Sequence, residues 1–243
     1  MNQLMKRVLS VLLVVCLLCS ALPSAFAAEG GGFTDVSKDH WAYDAITEAV
    51  AAGYFKGVSD TAFDPEGTLT RAMLVTVLAR AAGAETDDNA STGFSDVAVG
   101  TWYTGAVAWA AENGVVTGDG DGTFAPDRAA TRQETATIFL RLLKLLNKTL
   151  PEIEEVKTFT DAADIAAWAE EAVETMQTAG VLTGYPDGSF LPQNPLTRAE
   201  AATLLCRFLK AAEDKTEPTE PTEPEPTEPE PPEPEPTEPE PTE

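Results

Sequence analysis

Apolar residues fall along this chain in three patterns. The first is a continuous run from Val8 to about Ala21, after Lys6 and Arg7 and ahead of Ala25-Phe26-Ala27. The second recurs three times. Ile46, Val107 and Val173 each stand among alanines in a stretch that closes on Gly53, Gly114 or Gly180, which predicts a short amphipathic helix ended by glycine. Further on, Val77, Leu78 and Ala81 recur as Ile138, Phe139 and Leu142 and as Leu204, Leu205 and Phe208, one apolar stripe on a second helix. Between the two helices lie GVSDTAFDPEGTL, GDGDGTFAPDRAA and GYPDGSFLPQNPL, turn-rich loops with one phenylalanine each. The third pattern is the tail from Thr216 onward, where proline is the sole apolar residue. The expectation is an all-α fold of three helix-loop-helix units.

The repeat is strict. From Trp41, Trp102 and Trp168 the glycines above follow after 12 residues, Gly57, Gly118 and Gly184 after 16, and Phe63, Phe124 and Phe190 after 22. Pro65, Pro126 and Pro192 come two residues later, and at 29 stand Thr70, Thr131 and Thr197. Upstream, Phe-x-Asp opens each unit with Asp35, Asp96 and Asp161, and one extra residue precedes Trp168. A unit of this size has too small a core to stand comfortably alone, so the three are expected to pack as one domain, their stripes closing into a bundle.

The ends carry their own signals. The basic start, apolar run and small-x-small site read as a secretory signal peptide, residues 1–27, and the run is short of the ~20 residues a membrane span needs. Cys16 and Cys19 leave with it, so no intramolecular disulfide is possible, and Cys206 in its apolar helix is expected to be a buried inert thiol. The repeats then cover 28–92, 93–157 and 158–215. The tail, 216–243, holds 11 glutamates and 11 prolines, reads as disordered polyproline-like chain, and at ~3.1 Å per residue could extend to ~85 Å.

Charge and composition narrow the function. Beyond the signal 14 basic residues face 40 acidic ones, and the folded part alone keeps 29 acidic, which excludes nucleic acid as a partner. His40 is the only histidine, so Ser-His and Cys-His catalytic sets and a zinc cluster are excluded. The Asp119/Asp121 loop lacks the spacing of a calcium site and is simply the turn of its repeat. No carboxylate pair stands out from surface charge as a hydrolytic acid and base. No enzyme activity, cofactor or metal is expected.

The motif at the start of each second helix carries the chemistry. In TRQE and TRAE, Thr131 with Glu134 and Thr197 with Glu200 form capping boxes, whereas Met73 interrupts the pattern after Thr70. Capping does not explain Arg71, Arg132 and Arg198, because a cation at a helix N-terminus is unfavourable by about 0.3–1 kcal/mol. Two readings stand. Free helix N–H groups and a guanidinium together make an anion site; or each arginine pairs with Asp35, Asp96 or Asp161 of a neighbouring unit, and the two are compatible, since the aspartate can orient the arginine while a ligand takes its remaining donors. A tryptophan repeated in a small helical unit is expected as a core anchor, its indole edge reaching the surface.

This set of motifs, Phe-x-Asp, Trp, Gly-x-x-x-Gly, Phe-x-Pro and Thr-Arg-Ala-Glu, resembles the surface-layer homology (SLH) domain in all three copies, over about residues 33–210. The resemblance implies a pseudo-threefold arrangement around a central three-helix bundle. It implies grooves between repeats that bind a secondary cell-wall polysaccharide carrying pyruvylated N-acetylmannosamine, with Arg71, Arg132 and Arg198 meeting the carboxylate and Trp41, Trp102 and Trp168 walling the grooves. It further implies a secreted protein of the bacterial cell wall or surface, without a membrane span after signal cleavage. Tethering to peptidoglycan or to a peptidoglycan-linked glycan, and self-association in a surface array, are the alternatives. Met73, Gln133 and the insertion before Trp168 depart from the pattern, so the grooves are not expected to be equivalent.

Overall fold

The computed structural model describes residues 32–213, and the predicted signal peptide and tail lie outside them. The described chain is all-α, without a strand. Helices α1 (Tyr43–Ala51), α3 (Thr104–Glu112) and α5 (Glu170–Thr178) are short, and α2 (Arg71–Ala81), α4 (Arg132–Leu145) and α6 (Arg198–Glu213) follow them in the three repeats. A single 3₁₀ turn, Ala162–Asp164, precedes α5.

Each short helix stops the same way. Gly53, Gly114 and Gly180 have φ of +77°, +68° and +66°, and the residue after each donates its N–H five back, Tyr54 to Ala49, Val115 to Ala110 and Val181 to Met176. This is the left-handed glycine stop expected from the sequence. The second helices start on threonine. The Oγ1 atoms of Thr70, Thr131 and Thr197 accept the N–H groups of Met73, Glu134 and Glu200 at 3.2–3.4 Å. Glu134 and Glu200 return the bond by accepting the Thr131 and Thr197 N–H groups at 3.0 and 2.9 Å, so both predicted capping boxes form.

Three backbone hydrogen bonds close the repeats into a ring. The Leu69 N–H donates to the Leu196 carbonyl at 2.9 Å, Leu196 to Ala130 at 3.1 Å, and Ala130 back to Leu69 at 2.9 Å. All three side chains are fully buried at this junction. Helix packing follows the same cycle: α2 packs on α3, α4 on α5, and α6 returns to α1. Phe139 of α4 and Phe208 of α6 meet edge to face at 4.9 Å.

One feature of the long helices corrects the sequence reading. A single apolar stripe was expected, but α2 buries every residue from Arg71 to Ala79 except Met73. Small and apolar residues surround this helix, and Thr76, Thr135 and Thr137 enter the core by donating their hydroxyls four residues back. Cys206 is buried as expected, and burial pushes its thiol up to about 11, which makes it a poor nucleophile.

Candidate functional site

The loop carrying each phenylalanine is held from two sides. Asp35 accepts the N–H groups of Phe63 and Asp64 at 2.9 and 2.7 Å; Asp96 does the same for Phe124 and Ala125, and Asp161 for Phe190 and Leu191. The second residue of each pair has positive φ, 58°, 55° and 55°, a conformation that a non-glycine residue adopts only when its surroundings enforce it. Burial raises the Asp35 carboxyl, but the donated N–H groups and the charge of Arg198 together outweigh it and hold the group below its ordinary value.

From the other side comes an arginine of another repeat. Arg71 Nε donates to the Phe124 carbonyl at 2.8 Å, Arg132 Nε to Phe190 at 2.7 Å and Arg198 Nε to Phe63 at 2.8 Å. Arg132 and Arg198 also donate through Nη2, to the Thr183 and Lys56 carbonyls at 3.0 and 2.7 Å. Each guanidinium lies over the phenylalanine ring of the same loop, at 4.8, 5.0 and 4.5 Å from its centre.

Both sequence readings of these arginines need correction. The helix N-termini are not free: the first two N–H groups of α2 donate to the Arg128 and Pro126 carbonyls, those of α4 to Asn194 and Pro192, and those of α6 to Gly67 and Pro65. Nor do the arginines pair directly with Asp35, Asp96 and Asp161, because those carboxylates hold backbone. Arginine and aspartate instead grip opposite edges of one loop. The three arginine residues are 5–6% exposed, and their N-terminal position is explained by the carbonyls they reach in the adjoining repeat. Burial depresses Arg71 and Arg198, partly offset by nearby carboxylates, yet an arginine stays cationic.

The tryptophans are also not core anchors. Trp41, Trp102 and Trp168 are 62%, 56% and 57% exposed, and two of them wall grooves. In the first groove, of about 340 Å³, Trp168 of the third repeat joins Arg71 of the first and Gly118, Asp119, Glu134 and Arg141 of the second. In the second groove, of about 200 Å³, Trp41 joins Arg132, Gly184, Tyr185, Glu200 and Arg207. Both grooves thus draw on all three repeats. Trp102 stands edge-on to Tyr103 at 5.0 Å. The groove glycines are packing devices, since a Cβ on Gly184 would come within 2.6 Å of the Phe159 ring.

The departures from the repeat shape the first groove. Gln133, where the other repeats have alanine, accepts the Ala166 N–H at 3.0 Å and so seats the inserted segment before Trp168. At the groove mouth Arg128 bridges Asp119 at 3.0 Å and Glu134 at 2.8 Å, while Arg71 Nη1 reaches the same glutamate at 3.2 Å. The second groove has Tyr185 and Asn194 at the aligned positions. There the Tyr185 hydroxyl donates to Glu200 at 3.0 Å, and burial pushes the phenol up, keeping it neutral.

Sequence reasoning missed two roles. Glu134 and Glu200 cap their own helices and also face the arginine of the preceding repeat, Arg132 Nη1 lying 3.8 Å from Glu200. Arg80, Arg141 and Arg207 recur nine residues after each motif arginine, a constant offset that the sequence carried openly.

Comparison with known proteins decides the family. The model of the S-layer homology domain matches residues 32–72, 93–136 and 158–202, together more than half of the chain. This chain belongs to the S-layer homology family. Among its SLH relatives, an amylopullulanase of Thermoanaerobacterium thermosulfurigenes is 33% identical over 73% of this chain and 9% of its own length. A cellulosome-anchoring protein of Acetivibrio thermocellus is 35% identical over 65% of this chain and 36% of its own. An S-layer protein of Bacillus anthracis is 30% identical over 76% and 22%. The SLH chain therefore corresponds to a minor part of each of these relatives.

Proposed function

We propose that this protein anchors non-covalently to the bacterial cell wall by binding an anionic, pyruvylated secondary cell-wall polysaccharide in the grooves between its repeats. An SLH protein is a protein of the bacterial cell surface or wall. The observation that carries the glycan reading is the composition of the grooves. Each combines an exposed indole face, a glycine turn and arginine, and draws all three from different repeats. Indoles stack on sugar rings, and guanidiniums recognise carboxylates. In this reading Trp41, Trp102 and Trp168 supply the stacking faces. Arg71, Arg132 and Arg198, with Asp35, Asp96 and Asp161 behind them, set the shape and charge of the floors. The activity proposed for the three repeats is binding; the carbohydrate-cleaving relatives are far longer, and this chain spans only a minor part of them.

Co-sedimentation with purified walls tests this. Binding to intact walls that drops after removal of the pyruvyl groups supports the proposal. Binding that survives depyruvylation points to peptidoglycan or another wall polymer, and assembly without any glycan points to a self-associating array.

A further inference from the structure

We infer that the cations that meet the acidic group of the ligand are Arg141 and Arg207, not the buried motif arginines. The inference rests on the glycan-binding reading of the grooves and deepens it.

The motif arginines are occupied. Arg71 donates to the Phe124 carbonyl and Glu134, with Asp119 3.7 Å away. Arg132 donates to the Phe190 and Thr183 carbonyls and has Glu200 within 3.8 Å. A ligand carboxylate would have to displace those partners from guanidiniums that are barely exposed.

Arg141 and Arg207 are placed differently. Glu134, Thr137, Ile138 and Arg141 line the first groove at spacings of three, four and seven, one face of α4; Glu200, Thr203, Leu204 and Arg207 line the second at the same spacings on α6. Seven residues place each arginine about 10 Å along the helix from the half-buried glutamate. Among the described residues neither Arg141 nor Arg207 makes a hydrogen bond or ion pair, whereas the equivalent Arg80 donates to the Tyr54 carbonyl at 3.1 Å. The groove wall thus carries a cation with open donors.

The two grooves differ at the aligned positions of Asp119 and Tyr185. Asp119 puts a carboxylate at the mouth of the first groove, but Arg128 clamps it at 3.0 Å and offsets its charge, so it adds no net repulsion. In the second groove the neutral Tyr185 donates to Glu200 and Asn194 takes the place of Arg128, so the two grooves offer an anion the same balance of charges.

The test is a titration with the methyl glycoside of pyruvyl-ketal N-acetylmannosamine and, separately, its uncharged methyl ester. The indole N–H resonances of Trp41 and Trp168 report the second and first grooves independently. In the wild-type protein the acid should bind at both indoles more tightly than the ester. Arg207→Met, which keeps the apolar stem, should weaken acid binding at Trp41 about tenfold or more with the melting temperature and the ester titration unchanged. Arg207→Lys should recover most of the loss, and Arg141→Met should act at Trp168 alone. An acid titration untouched by Arg207→Met, or acid and ester titrating alike in the wild type, overturns this inference while leaving the grooves as sugar sites. Neither probe moving either indole at millimolar concentration overturns both it and the glycan reading.

Discussion

The Nε of Arg198 donates to the carbonyl oxygen of Phe63 at 2.8 Å, across 135 residues of chain, and so fastens the third repeat to the first. Asp35 holds the N–H of the same phenylalanine, so one peptide in the first repeat is gripped from both edges. The same grip recurs at Arg71 with Asp96 and at Arg132 with Asp161, which makes the motif arginine a joint between repeats.

Replacing that joint should cost stability. Arg198→Met removes charge-assisted bonds to one buried and one part-buried carbonyl and leaves them unpaired, an expected loss of about 3 kcal/mol. For a domain of this size the melting temperature should fall by roughly 6–12 °C. Calorimetry on Arg71→Met, Arg132→Met and Arg198→Met checks this, and melts within a degree or two of wild type would deny the structural role.

Acid should loosen the same joints. Burial raises Glu134, but the hydrogen bonds from Arg128 and Thr131 and the charge of Arg71 more than compensate, leaving it below its ordinary 4.5. Asp35 likewise lies below its ordinary 3.8. Groups depressed in the folded state contribute stability above their unfolded pKa and lose it as pH falls through the folded value. Stability should therefore be flat above about pH 5 and decline below about 4.5. In Glu134→Gln, chemical denaturation at stepped pH should show a lower plateau and a shallower acid decline.

Much of the fold was legible because three copies share their offsets: the glycine stops, the threonine caps and the buried phenylalanines all stand where the repeat put them. The identity of each residue's partner was not legible. A repeat defines the unit but not the order in which units grip each other, so each motif arginine is read from sequence beside an unspecified aspartate of a neighbouring unit, and not beside the phenylalanine carbonyl of the loop whose N–H groups that aspartate holds. The tryptophans were misjudged for a related reason. Burial was inferred from residue type, whereas the groove that leaves Trp168 exposed exists only once three repeats have met. The arginines at 80, 141 and 207 needed nothing but the alignment.

Met73 takes the place held by Glu134 and Glu200 in the other repeats, and among the described residues Arg198 has no carboxylate within ion-pairing distance. Met73→Glu should complete the capping box with Thr70 and give Arg198 the missing partner. Set against the partial packing that Met73 provides, the expected net gain is about 0.5–1 kcal/mol. A thermal melt showing a clear drop would mean that the apolar contact outweighs both.

Gln133→Ala should act on two observables together. It leaves the Ala166 N–H without its acceptor, at an expected cost of about 1–2 kcal/mol. It also frees the segment that seats Trp168, so the first groove should lose its response to the acidic sugar while the Trp41 groove keeps it. Equal losses at both indoles would show that the insertion does not set the first groove by itself.

The most direct test of the whole account is quantitative co-sedimentation of the wild-type protein and the Trp41→Ala/Trp168→Ala double variant with intact and depyruvylated walls. Both indoles are exposed, so the double variant should melt close to wild type. The account predicts retention of the wild type on intact walls only, and loss of about tenfold or more in the double variant, since stacking at two linked sites disappears together. Undiminished retention of the folded double variant on intact walls would contradict it.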